Sequence, residues 1–238
     1  MKTNNTPALR NALRLALAAT LPLASGLASA QEPDRPNEVR AGMYFVSYRT
    51  TADDLSGPFT PPGINIRLGD VNTPYFALLH HYDDHWTVEL AGGVPPTTRT
   101  YGKGPATVGS VPFNGQEVAT AKWFSPSLLV EYNFLDPSYA VRPFIGAGFN
   151  FTRFYDLIST PAGDAANGGP TQVKLTSSFG PAATVGGTWR IDPRFTLSAS
   201  WSAARVNSNY TSDTVGVIRT THIQFNPRTW VVAAGYRF

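Results

Sequence analysis

The chain contains no cysteine. That excludes a disulfide scaffold, a thiol nucleophile and thiolate metal sites. Beyond residue 30 it lacks any apolar run long enough for a transmembrane helix, which needs roughly 18 or more residues. Lys2, Arg10 and Arg14 account for the whole formal charge of +3. From Gln31 onward the chain is neutral, so there is no electrostatic case for nucleic acid. His80, His81, His85 and His222 are the only histidines. None has metal-ligand spacing on one face with a carboxylate, and neither a metal nor another cofactor is expected. A Gly-x-Ser-x-Gly elbow is missing as well. The chain is not expected to be an enzyme. The one hydrolase arrangement left open pairs His222 with serines of the strand at 195–210.

What is present begins with a secretory signal at residues 1–30. A basic n-region precedes apolar residues 15–27 and the small-x-small site Ala28-Ser29-Ala30. Residues 31–238 then form one domain. An exported chain without disulfides needs a core, a membrane or a closed sheet. The last strand suggests which. In steps of two, Phe238, Tyr236, Ala234, Val232 and Trp230 share one face, apolar in the middle and aromatic at both ends. Thr229, Val231, Ala233, Gly235 and Arg237 occupy the other. Seven further strands are read at 39–48, 74–82, 86–94, 121–134, 141–155, 174–190 and 195–210. Short turns at 83–85, 135–140 and 192–194 alternate with longer loops at 49–70, 95–118, 157–173 and 211–221. An even strand number with short turns at one end and long loops at the other predicts an all-β, eight-stranded antiparallel transmembrane barrel. Both chain ends fall on the short-turn, periplasmic side. The terminal aromatic Phe238 is the expected handle for the barrel-assembly machinery, and outer-membrane lipid is the expected surrounding. In the second strand His80 and His81 point to opposite faces, and the pattern does not decide which of them faces in.

Eight strands enclose a bore barely wide enough for their own side chains. Gly146, Gly148, Gly180, Val231 and Ala233 face inward and are small or apolar. They either leave a narrow channel or allow sharp curvature. Arg40, Glu89, Glu131 and Arg142 are the candidate interior charges. Glu131 and Arg142 flank one turn and are expected to pair, since an unpaired interior charge is costly. Pro126, Pro143, Pro181 and Pro227 sit inside strands although proline donates no ladder hydrogen bond. Each marks either a local bend or a lateral gap through which an apolar molecule could leave. At the outer mouth Phe59, Tyr101 and Phe113 are candidate apolar contacts for a solute.

The run Arg142-Pro143-Phe144-Ile145-Gly146-Ala147-Gly148-Phe149-Asn150-Phe151-Thr152 resembles a segment of the OmpW family of outer-membrane proteins, which includes the AlkL alkane-uptake branch. Val39-Arg40-Ala41-Gly42, Val88-Glu89-Leu90, Pro126-x-Leu128, Glu131-Tyr132-Asn133-Phe134 and Ala234-Gly235-Tyr236-Arg237-Phe238 fit the same family in the same order. The likeness departs at the loop tip before Asp70, over most of 97–118 and at Pro181. The resemblance implies a narrow, largely apolar channel for small hydrophobic solutes with exit sideways into the membrane of a Gram-negative outer envelope. Two other functions stay open: a non-conducting structural, stress-related or surface-recognition barrel acting through its loops, and a lipid-modifying enzyme.

Overall fold

The computed structural model describes residues 35–238. The signal-peptide expectation for 1–30 lies outside them. Eight strands form the wall: β1 (Asn37–Tyr48), β2 (Val71–His81), β3 (Trp86–Gly93), β4 (Ser127–Asn133), β5 (Val141–Ser159), β6 (Ser178–Arg190), β7 (Phe195–Ala204) and β8 (Pro227–Arg237). Each pairs antiparallel with its neighbours in sequence, and β1 pairs with β8, so the sheet closes. In hydrocarbon every backbone polar group needs an internal partner, and closure removes the edges.

Side chains alternate along each strand as the period of two demands. Val39, Met43, Phe45, Phe76, Leu78, Leu128, Val130, Ile145, Phe149, Val185 and Val232 point out and are exposed. Exposure of this many large apolar side chains is untenable in water and fits a lipid-facing surface. Trp86, Trp189, Phe195 and Tyr236 ring the short-turn end, where amphipathic rings favour the interface. Two of the turns use the same device. Asp83 Oδ1 accepts from the His85 and Trp86 amides, and Asp192 Oδ1 from the Arg194 and Phe195 amides. These are Asx turns. The two amides hold the exposed Asp192 carboxyl below its ordinary range.

The connections expected as loops are largely ordered. Thr171–Leu175, Asn207–Thr214, Val217–Gln224 and Thr51–Ala52 form one outer sheet. Asn65–Leu68, Thr97–Lys103 and Glu117–Phe124 extend the wall beside the upper part of β5. The expected loop at 211–221 is a tight hairpin instead, turning on Val215 and Gly216 at φ 51° and 87°. Its strands read as polar because they stand above the membrane. A short helix, α1 (Pro161–Asn167), lies in the third connection, capped by the Thr160 hydroxyl and by Gly168 in the left-handed conformation.

Two of the inward glycines serve close approach of strands. A Cβ on Gly148 would meet the Leu128 carbonyl, and one on Gly180 the Arg205 carbonyl. Gly148→Val is therefore expected to cut the folded fraction sharply, while the lipid-facing Ala234→Val leaves it unchanged. Heat-modifiable electrophoretic mobility after refolding measures both, and equal folding of the two variants would contradict this packing.

Candidate solute channel

Phe59, Ile64, Phe113 and Arg219 line a pocket of about 210 Å³ between the outer connections. Phe59 is 87% exposed, whereas Phe113 is 8% exposed and packs on Gly102. Tyr101 lies elsewhere, its ring 4.6 Å from the Arg67 guanidinium. The buried Arg219 ties the connections together by donating to the Pro58 carbonyl at 3.1 Å and to Asn167 Oδ1 at 3.2 Å.

Below this pocket the bore is filled by Val206, Ile223 and Phe225, with Tyr48, Leu68, Phe154 and Tyr210 packed around them. Phe154 and Phe225 rings are 5.2 Å apart. A cavity of about 100 Å³ follows, lined among others by Tyr44, Tyr75, Ala91, Trp123, Leu129 and Val231. One side of it is polar. Asn150 Nδ2 donates to Ser125 Oγ and Ser127 Oγ, both at 2.9 Å, and Asn150 Oδ1 accepts from Thr152 at 2.8 Å.

The cavity ends on a charged floor. Tyr75 donates to Glu89 at 2.9 Å. Arg40 bonds Glu38 at 2.7 Å, approaches Glu89 at 3.8 Å and donates to Thr188 at 3.2 Å. Glu38 also accepts from Thr196 at 2.6 Å and meets His81 Nε2 at 3.1 Å. His81 thus faces in, while His80 faces out to Asn37. Beneath the floor a vestibule of about 490 Å³ opens at the short-turn end among Asp84, Arg142, Arg190 and Arg237.

The Glu131–Arg142 pair expected from sequence does not form. Glu131 is 1% exposed, and its Oε1 has no hydrogen-bond partner among the described residues. Arg142 instead donates to the carbonyls of Phe134 at 3.3 Å, Leu135 at 3.0 Å and Asp84. The reason is Pro143. Phe134 N–H bonds the Pro143 carbonyl at 2.8 Å, but Pro143 has no N–H to return, and the Arg142 side chain takes the vacant Phe134 carbonyl. Gly146 sits at floor level, where a Cβ would press on Thr184 and Glu131. Ala233 belongs to the apolar cluster of Tyr75, Ala77, Leu79, Ala91 and Val231. His222 does not meet the serines of β7. It bonds Asn209 at 2.9 Å in the outer hairpin, while Ser202 bonds Thr184 at 3.0 Å and Ser198 the Ala233 carbonyl at 3.4 Å.

The wall is interrupted beside the cavity. Between β3 and β4 the last pair is Ala91↔Ser127, and pairing resumes only at Thr97↔Lys122. Gly92–Pro96 and Trp123–Pro126 face each other without ladder bonds among the described residues. Pro95, Pro96 and Pro126 cannot donate there. The two edges are held from behind. Val94 N–H bonds Pro74 O at 3.0 Å with Thr73 Oγ1 returning to Val94 O at 2.5 Å, and Phe151 N–H bonds Pro126 O at 3.0 Å. Of the other prolines, Pro181 leaves the Arg205 carbonyl without a returned amide, and Pro227, which opens β8, does the same to the Ala204 carbonyl of β7.

A closed, eight-stranded barrel with an apolar exterior and short turns at one end defines a small outer-membrane protein. Residues 38–238 match the OmpW family, and the chain belongs to it. It is 30% identical to Outer membrane protein W of Vibrio cholerae over 202 residues, covering 84% of this chain and 87% of that one. It is also 30% identical over 123 residues to the dibenzothiophene metabolism operon protein PahQ of Pseudomonas aeruginosa, 52% of this chain and 54% of that one. Among solved structures, OprG of Pseudomonas aeruginosa aligns with a TM-score of 0.77 at 19% identity, covering 87% of this chain and 97% of that one. AlkL in lipid bilayers aligns at 0.63 and 17% identity, covering 92% and 97%. The protein resides in the outer membrane of a Gram-negative bacterium.

Among the described residues, Arg40 is the one arginine or lysine that lies within 4 Å of the Glu38 and Glu89 carboxylates. Arg40→Met is expected to destabilise the barrel by about 3–5 kcal/mol, because buried carboxylates lose their partner. The triple change Glu38→Gln, Arg40→Met, Glu89→Gln should recover much of that. Urea unfolding in lipid vesicles measures both; an Arg40→Met barrel as stable as the parent would rule out the floor as a coupled unit.

Proposed function

We propose that the protein is a passive conduit that takes small hydrophobic molecules from the cell exterior and releases them sideways into the outer membrane. The reading rests on one observation: an apolar cavity ends on a charged floor beside an unpaired stretch of wall. The outer pocket gathers the solute at Phe59. Transfer of apolar surface out of water drives its descent, and a solute with about 200 Å² of such surface gains roughly 5 kcal/mol. Passing the floor requires separating desolvated ion pairs, which costs several kcal/mol. The gap between Gly92–Pro96 and Trp123–Pro126 breaks no ladder bond when it widens. Leu90, Val94, Phe124 and Leu128 lie exposed around it, so a solute that has passed the polar edge at Ser125 and Ser127 meets apolar, lipid-facing side chains. No covalent chemistry is involved. The filling at Ile223 and Phe225 must move for the solute to descend, and a thermal rearrangement of side chains suffices. The PahQ relative is named for an operon of aromatic-sulfur metabolism, which supports a hydrophobic cargo.

The chain has no cysteine, so introduced thiols are unique. Val94→Cys with Phe124→Cys places one on each edge of the gap. Bridging them with a short, cleavable bis-maleimide in reconstituted vesicles should abolish uptake of an apolar fluorescent probe, and cleavage should restore it. A polar sugar of similar size should stay excluded throughout. Unchanged uptake by the bridged barrel would eliminate the lateral route; exclusion of both probes by the folded parent would move function to the outer connections.

A further inference from the structure

The outer face of β5, β6, β7, β8 and β1 carries a groove of about 960 Å³ that the uptake route does not use. Strand register accounts for its shape. The row Ile145, Val185, Trp201, Trp230, Phe45 is bulky and apolar. The next row outward is Ala147, Ala183, Ala203, Arg228, Ser47. Above that come Phe149 and Pro181, then Arg205 and, at the end of β1, Arg49. Three alanines between larger rows make a notch wide enough for an alkyl chain. Arg49, Arg205 and Arg228 close one end of it.

These arginines are exposed, and none forms a salt bridge with any of the described residues. Arg228 lies 5.9 Å over the Trp201 ring. No acidic side chain lines the groove. Arg205 and Arg49 stand diagonally outward of Arg228 on its two neighbouring strands, a separation of roughly 7–8 Å. Their height also fits. Arg228 is eight residues from the interfacial Tyr236 on β8. At about 3.3 Å per residue and a tilt near 40°, that is roughly 20 Å along the membrane normal, close to the outer edge of an apolar band about 25 Å tall. Lipid phosphates lie at that height, and guanidinium forks match phosphate oxygens.

We propose that this groove holds one molecule of the outer leaflet's phosphorylated glycolipid, lipid A, with a phosphate on Arg49, Arg205 and Arg228 and an acyl chain over Ala147, Ala183 and Ala203. Two phosphates and several chains on one scaffold suit a site that offers both features side by side. The outer leaflet supplies lipid A in excess, so the site is filled wherever the protein is correctly inserted.

Native mass spectrometry of the full folded barrel, titrated with lipid A, dephosphorylated lipid A, phosphatidylglycerol and inorganic phosphate, tests this. Lipid A should be retained one-to-one. The triple variant Arg49→Gln, Arg205→Gln, Arg228→Gln should weaken retention by about ten-fold or more. Ala183→Leu with Ala203→Leu should weaken it with all three arginines present. Arg153→Gln, an exposed arginine outside the groove, should change nothing. Folding of each variant is checked by heat-modifiable mobility, and the single arginine variants give the same reading if the triple fails to fold. Equal retention by the triple variant overturns the proposal. So does an equal loss in Arg153→Gln, or binding of phosphatidylglycerol or phosphate as tight as that of lipid A.

Discussion

The structure depends on one constraint: within hydrocarbon, each backbone amide and carbonyl must find its partner inside the protein. Closure of β1 on β8 satisfies it around the ring. Prolines then become the informative residues, because each removes one donor. What happens next is decided by the residue before the proline. Thr73 precedes Pro74 and supplies a hydroxyl to the Val94 carbonyl. Arg142 precedes Pro143 and supplies a guanidinium to the Phe134 carbonyl. Gly180 precedes Pro181 and has nothing to supply. Three prolines gathered at one height, just past the end of β3 and just before β4, exceed what side chains can repair, and there the ladder stays open.

The same constraint explains why the bore is closed below. A cavity that opened through to the periplasm would leave Glu38, Arg40 and Glu89 in contact with any solute on the way. Interlocked, they satisfy one another and are braced by Tyr75, Thr188 and Thr196. Separation would cost more than an apolar solute can return, since such a solute offers no hydrogen bonds in exchange. The floor therefore acts by chemistry as much as by size. On the proposed uptake route, the apolar filling above disfavours water and small ions, and the ion pairs beneath stop an apolar solute.

Much of this was legible in the chain because it rests on periodicity. Alternation along 39–48, 141–155 and 230–238 placed the lipid-facing residues correctly, and the Asp-led turns marked the short-turn end. Glu38 is missed because the strand read at 39–48 starts two residues late, although Glu38 shares a face with Arg40. The pairing of Glu131 with Arg142 failed for a different reason. Proximity in sequence across a hairpin competes with a carbonyl orphaned by Pro143, and only the structure shows which partner Arg142 takes. Pro95 and Pro96 read as loop punctuation because wall strands continue above the membrane as separate ladders. Where a strand changes partners depends on residues far away in sequence, and no local pattern records it. The same holds for Thr97–Lys103 and Asn207–Thr214, whose polar faces resemble loop composition once hydrocarbon no longer demands apolar side chains.

The two outward-opening features of the wall lie nearly opposite each other. The unpaired stretch separates β3 from β4, whereas the arginine-rimmed groove centres on β6, β7 and β8. In a ring of eight strands these positions are about half a turn apart. The ladders behind the groove are continuous through β5, β6, β7 and β8, apart from the bonds missing at Pro181 and Pro227. That side can hold a ligand without yielding. The β3–β4 side lacks ladder bonds over several residues and is held mainly from behind, through Gly92–Val94 to β2 and through Trp123, Phe124 and Pro126 to β5. On the proposed uptake route it is the side that parts. On the two proposals together, the barrel has one stiff, arginine-rimmed face that sets its orientation toward surrounding lipid and one compliant, apolar face through which solute leaves.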